Sequence, residues 1–164
     1  MEITTRKCVF AGTFDPPTLG HKAAIEDCLA LFDEVVVAVM VNPDKTPLFT
    51  AEQRKEMLGL IFPKESRLKI LSFTGTATEL LAQEKTKIYV RGIRNTVDFE
   101  YENANFFASR KLDNNLVAVY LPCRQELLHV SSGMVRNSLK FNTPIDEYVP
   151  TEIKEYIYAV YKNV

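Results

Sequence analysis

Residues Glu34–Val41 read Glu-Val-Val-Val-Ala-Val-Met-Val, mostly β-branched and with no polar side chain after Glu34. A strand with one wet face alternates apolar and polar residues, whereas an unbroken apolar strand is covered on both faces. Such a strand belongs to a parallel sheet, because the crossovers between parallel strands lay helices over both faces. The rest of the chain alternates to match. Lys7–Gly12, Arg67–Phe73, Lys87–Arg91 and Leu116–Leu121 read as further strands. From Leu19 to about Phe32 the pattern is helical, with Ala24, Cys28 and Leu31 on one stripe and Ile25, Leu29 and Phe32 beside it. Thr50 and Gln53 fit a capping box opening a second helix after the Pro-containing loop Asn42–Phe49. Thr76–Glu84, Val97–Arg110, Ser131–Lys140 and Glu152–Tyr161 read as the remaining helices. The expected fold is α/β: one domain over residues 1–164, with a five-stranded parallel sheet of order 3-2-1-4-5 and helices on both faces.

Composition narrows the function classes. Apolar residues make up 46% and charged residues 25%, the mix of a soluble globule. Lys and Arg number 20 against 21 Asp and Glu. Nonspecific nucleic-acid binding runs on an excess of cations, so no nucleic-acid partner is expected. A small phosphate-rich ligand needs only a local cluster. Cys8, Cys28 and Cys123 lie far apart, in no zinc or disulfide spacing, and read as buried thiols in a reducing compartment. Met1–Phe10 lacks the apolar core of a signal peptide. The near-continuous apolar run Val35–Val41 is too short to span a bilayer. A cytoplasmic location and no membrane partner are therefore expected.

The strand order makes strands 1 and 4 neighbours from which the chain departs in opposite directions, opening a crevice at their carboxyl ends. Two unusual stretches fall there. Gly12-Thr-Phe-Asp-Pro-Pro-Thr-Leu-Gly-His21 runs from strand to helix start, where free N–H groups and the helix dipole suit an anion. The alternative is a Pro/Gly loop whose histidine only caps the helix. Arg91-Gly-Ile-Arg-Asn95 ends a strand on two nearby cations, fit for polyphosphate through planar guanidinium forks, or else is a solvated basic turn. On the next helix, Asp98 and Glu102 form a like-charge i, i+4 pair, tolerable if Arg91 or Arg94 stands near. Either Glu102 accepts a hydrogen bond from a ligand or the pair is a solvated acidic face. Lys45 follows strand 2 and either reaches the crevice or stays in solvent. Ser131 or Ser132 offers either an N-cap or a second anion-ready helix start, and His129 beside them reads as filler rather than catalyst.

Together these segments resemble a known family. GTFDPPTLGH is similar to the GTFDPxTxGH signature of the nucleotidyltransferase superfamily marked by (T/H)xGH. RGIRN followed by DFEYE resembles one branch of it, the bacterial phosphopantetheine adenylyltransferases; PDKTPLFTAEQR and SSGMVR fall in the matching order. The resemblance spans essentially the whole chain. It implies a Rossmann-like nucleotidyltransferase domain that moves the adenylyl group of ATP onto 4′-phosphopantetheine, giving dephospho-coenzyme A and pyrophosphate. It also implies magnesium, a homohexamer and feedback inhibition by coenzyme A. Position by position, Thr13, Phe14 and His21 would meet ATP; Thr13, Lys45 and Arg91 the acceptor; and Ala77 the pantetheine arm. Gly92, Ile93, Arg94 and Glu102 would hold adenosine and phosphates, with Leu127, Leu128, His129, Val130, Ser131, Ser132 and Gly133 completing the nucleotide site. The catalytic set so implied is His21, Thr13, Lys45 and Arg91, with no protein metal ligands. Departures from the branch's pattern are Leu127 where a tryptophan is common, Gly133 in place of a third serine, and Gly75-Thr76-Ala77 in place of Asp-Leu-Met. Two rivals in the superfamily are cytidylyltransferases, whose RTEGISTS signature is absent, and nicotinamide mononucleotide adenylyltransferases, whose ISSTxxR ending is only partly echoed. A non-catalytic nucleotide sensor and a flavodoxin-like binding protein are the rivals outside catalysis.

Overall fold

The computed structural model describes residues 5–162. The opening residues of the stretch read for a leader peptide, and both ends of the 1–164 domain, lie outside the described residues. The elements follow in the order β1 Lys7–Gly12, α1 Leu19–Leu31, β2 Glu34–Met40, α2 Ala51–Ile61, β3 Leu68–Phe73 and α3 Ala77–Gln83. Then come β4 Ile88–Ile93, α4 Thr96–Arg110, β5 Val117–Pro122, a short 3-10 turn at Gln125–Leu127, α5 Ser132–Lys140 and α6 Thr151–Tyr161. The sheet order is β3-β2-β1-β4-β5, every pair parallel.

The apolar run that opened the sequence reading is explained by two cores. Cys8 and Phe10 of β1, with Val35, Val37 and Val39 of β2, pack on one face against Ile25 and Cys28 of α1 and Leu58 of α2. Val9, Ala11, Val36 and Ala38 face the other way, against Leu80 and Leu81 of α3. Both residue sets of β2 are buried, so neither can be polar. A third cluster, including Phe49, Met57, Val135, Ile145, Ile153 and Ile157, joins α2, α5 and α6.

Most element ends fall within one residue of expectation, and the largest difference is at the end of β4. β4 continues past Arg91, pairing Gly92 with Leu121 and Ile93 with Pro122, so Arg94 rather than Gly92 begins the turn. Asn95 caps α4 by accepting from the Asp98 N–H at 2.9 Å. Cys123 is only half-buried, unlike Cys8 and Cys28, and all three are free thiols. Among the described residues no helix is long and apolar enough to cross a membrane.

Candidate active site

β1 pairs with β2 along its whole length but with β4 only at Val9–Tyr89 and Phe10–Val90. The two central strands part toward their carboxyl ends. A cavity of about 340 Å³ opens there, within the size range of small-molecule sites.

Arg91 lies at the parting. Its Nη1 donates to the Ala11 carbonyl at 2.5 Å and reaches the Tyr89 hydroxyl at 3.4 Å; Nη2 donates to Glu102 Oε1 at 2.5 Å. Its Nε is buried with no hydrogen-bond partner among the described residues. Arg94 donates from its backbone and from Nε to Asp98 Oδ2, at 3.1 and 3.0 Å. The like-charged Asp98 and Glu102 thus each have an arginine of their own, which removes their mutual cost.

His21 caps its helix and also lines the cavity. Thr18 caps α1, accepting from the His21 N–H at 3.4 Å, while the Thr18 N–H donates to His21 Nδ1 at 3.0 Å. A ring nitrogen that accepts an N–H carries no proton of its own, so Nε2 bears the hydrogen. Burial first, then the charges of Arg91 and Arg94, push the imidazole down to about 4. His21 is therefore a neutral Nε2–H donor at physiological pH. The Phe14 ring, 1% exposed, meets it edge-on at 4.8 Å. A Cβ on Gly12 would stand 3.1 Å from that ring, so a larger residue there would need the buried ring to shift by a few tenths of an ångström.

At α5, Ser131 caps the helix by accepting from the Met134 N–H at 3.2 Å. Ser132 Oγ donates to the Pro16 carbonyl at 2.7 Å. The serine hydroxyls hold the protein together here, and the unpaired N–H groups of the first turn remain for an anion.

Of the residues singled out from sequence, Thr13, Phe14, His21, Arg91, Gly92, Arg94, Glu102, Val130, Ser131 and Ser132 line this one cavity. Ala77 lies in a second, smaller hollow with Tyr89, Tyr101, Asn105 and Tyr120; Arg91 and Glu102 form the wall that the two share. Lys45, Ile93, Leu127, Leu128, His129 and Gly133 are outside both linings. Lys45 is exposed in the loop after β2, its N–H on the Asn42 carbonyl at 3.2 Å. The sequence reading missed Cys123 and Arg124 on the cavity wall. Arg124 donates to Glu26 and Asp27 at 3.3 and 3.2 Å. Their position just past the carboxyl end of β5 was the available signal.

The cytidylyltransferase-like family model matches residues 9–138. The chain is 40% identical to the phosphopantetheine adenylyltransferase of Symbiobacterium thermophilum over 144 residues, covering 88% of this chain and 89% of that one. It is 32% identical to the protein of the same name from Natranaerobius thermophilus, covering 91% and 92%. A solved structure from Vibrio parahaemolyticus, provisionally assigned as a nicotinate-nucleotide adenylyltransferase, superposes with a TM-score of 0.71 at 18% identity over 98% of this chain and 97% of that one; it supports the fold alone. With relatives this similar over nearly their full length, the chain belongs to the phosphopantetheine adenylyltransferases, within the cytidylyltransferase-like nucleotidyltransferases.

Proposed function

We propose that the protein transfers the adenylyl group of ATP to 4′-phosphopantetheine, forming dephospho-coenzyme A and pyrophosphate in coenzyme A biosynthesis. The observation that carries this reading is the shared cavity: a neutral imidazole donor, Arg91, Arg94 and Arg124, and two helix N-termini converge where β1 and β4 part. The acceptor phosphate attacks the α-phosphorus in line and pyrophosphate leaves. The nucleophile is already ionised, so positioning and charge neutralisation are what remain for the protein. His21 Nε2–H donates to an α-phosphoryl oxygen as charge moves onto it. Arg94 and the α5 N-terminus hold the β- and γ-phosphates, while Gly92, Glu102 and the Leu127–Gly133 segment hold the adenosine end. Thr13 and Lys45 orient the acceptor phosphate. Arg91, with its orphaned Nε, anchors that phosphate between the cavities, so the pantetheine arm runs into the hollow of Ala77, Tyr101 and Asn105.

ATP would arrive as its magnesium complex, whose cation neutralises the triphosphate. Asp27, Asp98 and Glu102 in the cavity are each held by an arginine, which fits a cation carried by phosphate oxygens and water. Helix α4 has no buried residue, and Val97, Tyr101, Phe107 and Leu112 are all more than half exposed. That face suits self-association, and the family resemblance implies a hexamer. Coenzyme A, which carries the same pantetheine arm, would compete at this site as a feedback inhibitor. Three free thiols fit a cytoplasmic enzyme.

The deciding experiment is pyrophosphate release from ATP and CTP, each with 4′-phosphopantetheine and with nicotinamide mononucleotide. Release with ATP and 4′-phosphopantetheine alone is expected. Preference for another pair, or binding of ATP without release, overturns the reading. Light scattering gives the assembly mass in the same preparation.

A further inference from the structure

Arg54 is among the most deeply buried large side chains of the protein, 2% exposed. Among the described residues it forms no ion pair. Its partners are three backbone carbonyls: Thr13 at 2.7 Å from Nη1, Thr50 at 3.3 Å from Nε, and Met40 at 3.5 Å from Nη1. Burying a guanidinium without a carboxylate against it is costly, and the burial lowers its pKa, opposed only by the field of Asp15. Such a group is retained where its fork does something that an apolar side chain cannot.

The three carbonyls belong to different segments. Thr13 is in the loop after β1, Met40 is the last residue of β2, and Thr50 is the N-cap of α2. The chain from Met40 to Thr50 is the loop carrying Lys45. One planar fork therefore fixes the Thr13 loop against both ends of the Lys45 loop. The Asp15 carboxylate adds a second tie, accepting from the Leu48 and Phe49 N–H groups at 2.9 and 2.8 Å.

We infer that Arg54 is a positioning residue for the acceptor phosphate, setting the spacing between Thr13 and Lys45 through their backbones without touching substrate. This rests on the adenylyl-transfer reading for the roles of Thr13 and Lys45. The geometry of the tie does not depend on that reading. An exposed lysine on an untethered loop cannot hold an attacking group in line, and a misplacement of ~1 Å costs roughly 10²-fold in rate.

Two variants test it. Arg54→Met keeps length and removes the fork; Arg54→Lys keeps the charge but puts its donors on a single nitrogen that cannot span all three carbonyls. Each is compared with the wild type by steady-state kinetics and by amide hydrogen exchange resolved along the chain. In Arg54→Met, kcat is expected to fall by roughly 10²-fold, the ATP KM to stay within about twofold, and exchange to quicken in residues 12–17 and 41–50 while β1, β2 and α1 keep their protection. Arg54→Lys is expected to recover about tenfold of the lost rate, since one of the ties is restored. Wild-type kcat in Arg54→Met, or unchanged exchange in both loops, overturns the inference. So does uniform loss of protection and of activity in both variants, which marks a purely structural role. If the wild type itself releases no pyrophosphate, the functional reading fails while exchange still decides whether Arg54 ties the loops.

Discussion

On the α1 side of the cavity, the carbonyls of Ala11, Thr13, Asp15 and Pro16 are held by Arg91, Arg54, Arg136 and Ser132, side chains from β4, α2 and α5. Phe14 is fixed at a φ of 52°, a conformation a bulky residue adopts only when its surroundings impose it. On the α4 side, the Arg94 side chain is bonded to Asp98 one turn away, a Cβ on Gly92 would meet nothing within 4 Å beyond its chain neighbours among the described residues, and no α4 residue is buried. One wall is built before any ligand arrives; the other is left for the ligand to order. Preorganisation belongs where charge develops in the transition state, adaptability where binding only has to hold.

That contrast assigns different symptoms to the two walls. The largest effect is expected at His21. Losing one preorganised donor costs about 3 kcal/mol in the transition state, or roughly 10²–10³ in turnover, so His21→Ala should depress kcat with little change in the ATP KM. Full turnover in that variant would remove the donor from the mechanism. Next comes Arg91→Ala, which strips a donor from Ala11 and leaves Glu102 alone. About 2–3 kcal/mol of stability is at stake, read by urea unfolding, together with a weaker acceptor Kd by calorimetry; unaltered acceptor affinity would contradict its role as anchor. A glycine pair then tests the walls directly. Gly12→Ala crowds the buried Phe14 ring at 3.1 Å and should cost about 1 kcal/mol or more. Gly92→Ala meets nothing within 4 Å among the described residues and should leave unfolding unchanged while raising the ATP KM. If both variants unfold alike, the walls do not differ as described.

The architecture was legible because an unbroken apolar strand such as Val35–Val39 is buried on both faces, and the strand order was one of the few that right-handed crossovers leave. Arg91 and Arg94 were legible as crevice residues because strand ends are. What the sequence could not carry is distance. The pairing of Arg91 with Glu102 and of Arg94 with Asp98 was conditional on proximity until the helix was seen to begin at Thr96. Arg54 left no trace, since an arginine four residues past an N-cap looks like any solvated helix residue; only the convergence of three backbone segments on it reveals its use. Lys45 marks the opposite limit: the resemblance gives it a role, while the loop holds it in solvent.

The smallest expected effect is the most diagnostic for the rigid wall. Burial, with the charges of Arg91 and Arg94, pushes His21 in the folded protein down to about 4, against 6.5 unperturbed. A histidine with a depressed folded pKa favours the fold when neutral, so its contribution to stability is complete above about pH 6.5 and is lost as pH falls toward 4. Protonating Nδ1 would also break the bond from the Thr18 N–H, so acid should fray the start of α1 first. Between pH 5 and 8 the Nε2–H donor is unchanged. The acid limb of acceptor kcat/KM should then follow the second ionisation of a phosphate monoester, about 6, which belongs to the substrate. Imidazole NMR measures the first quantity and an initial-rate profile the second. A His21 resonance titrating near 6.5 would mean that the ring is wet and unlocked, and the wall described as rigid would have to be mobile at its centre.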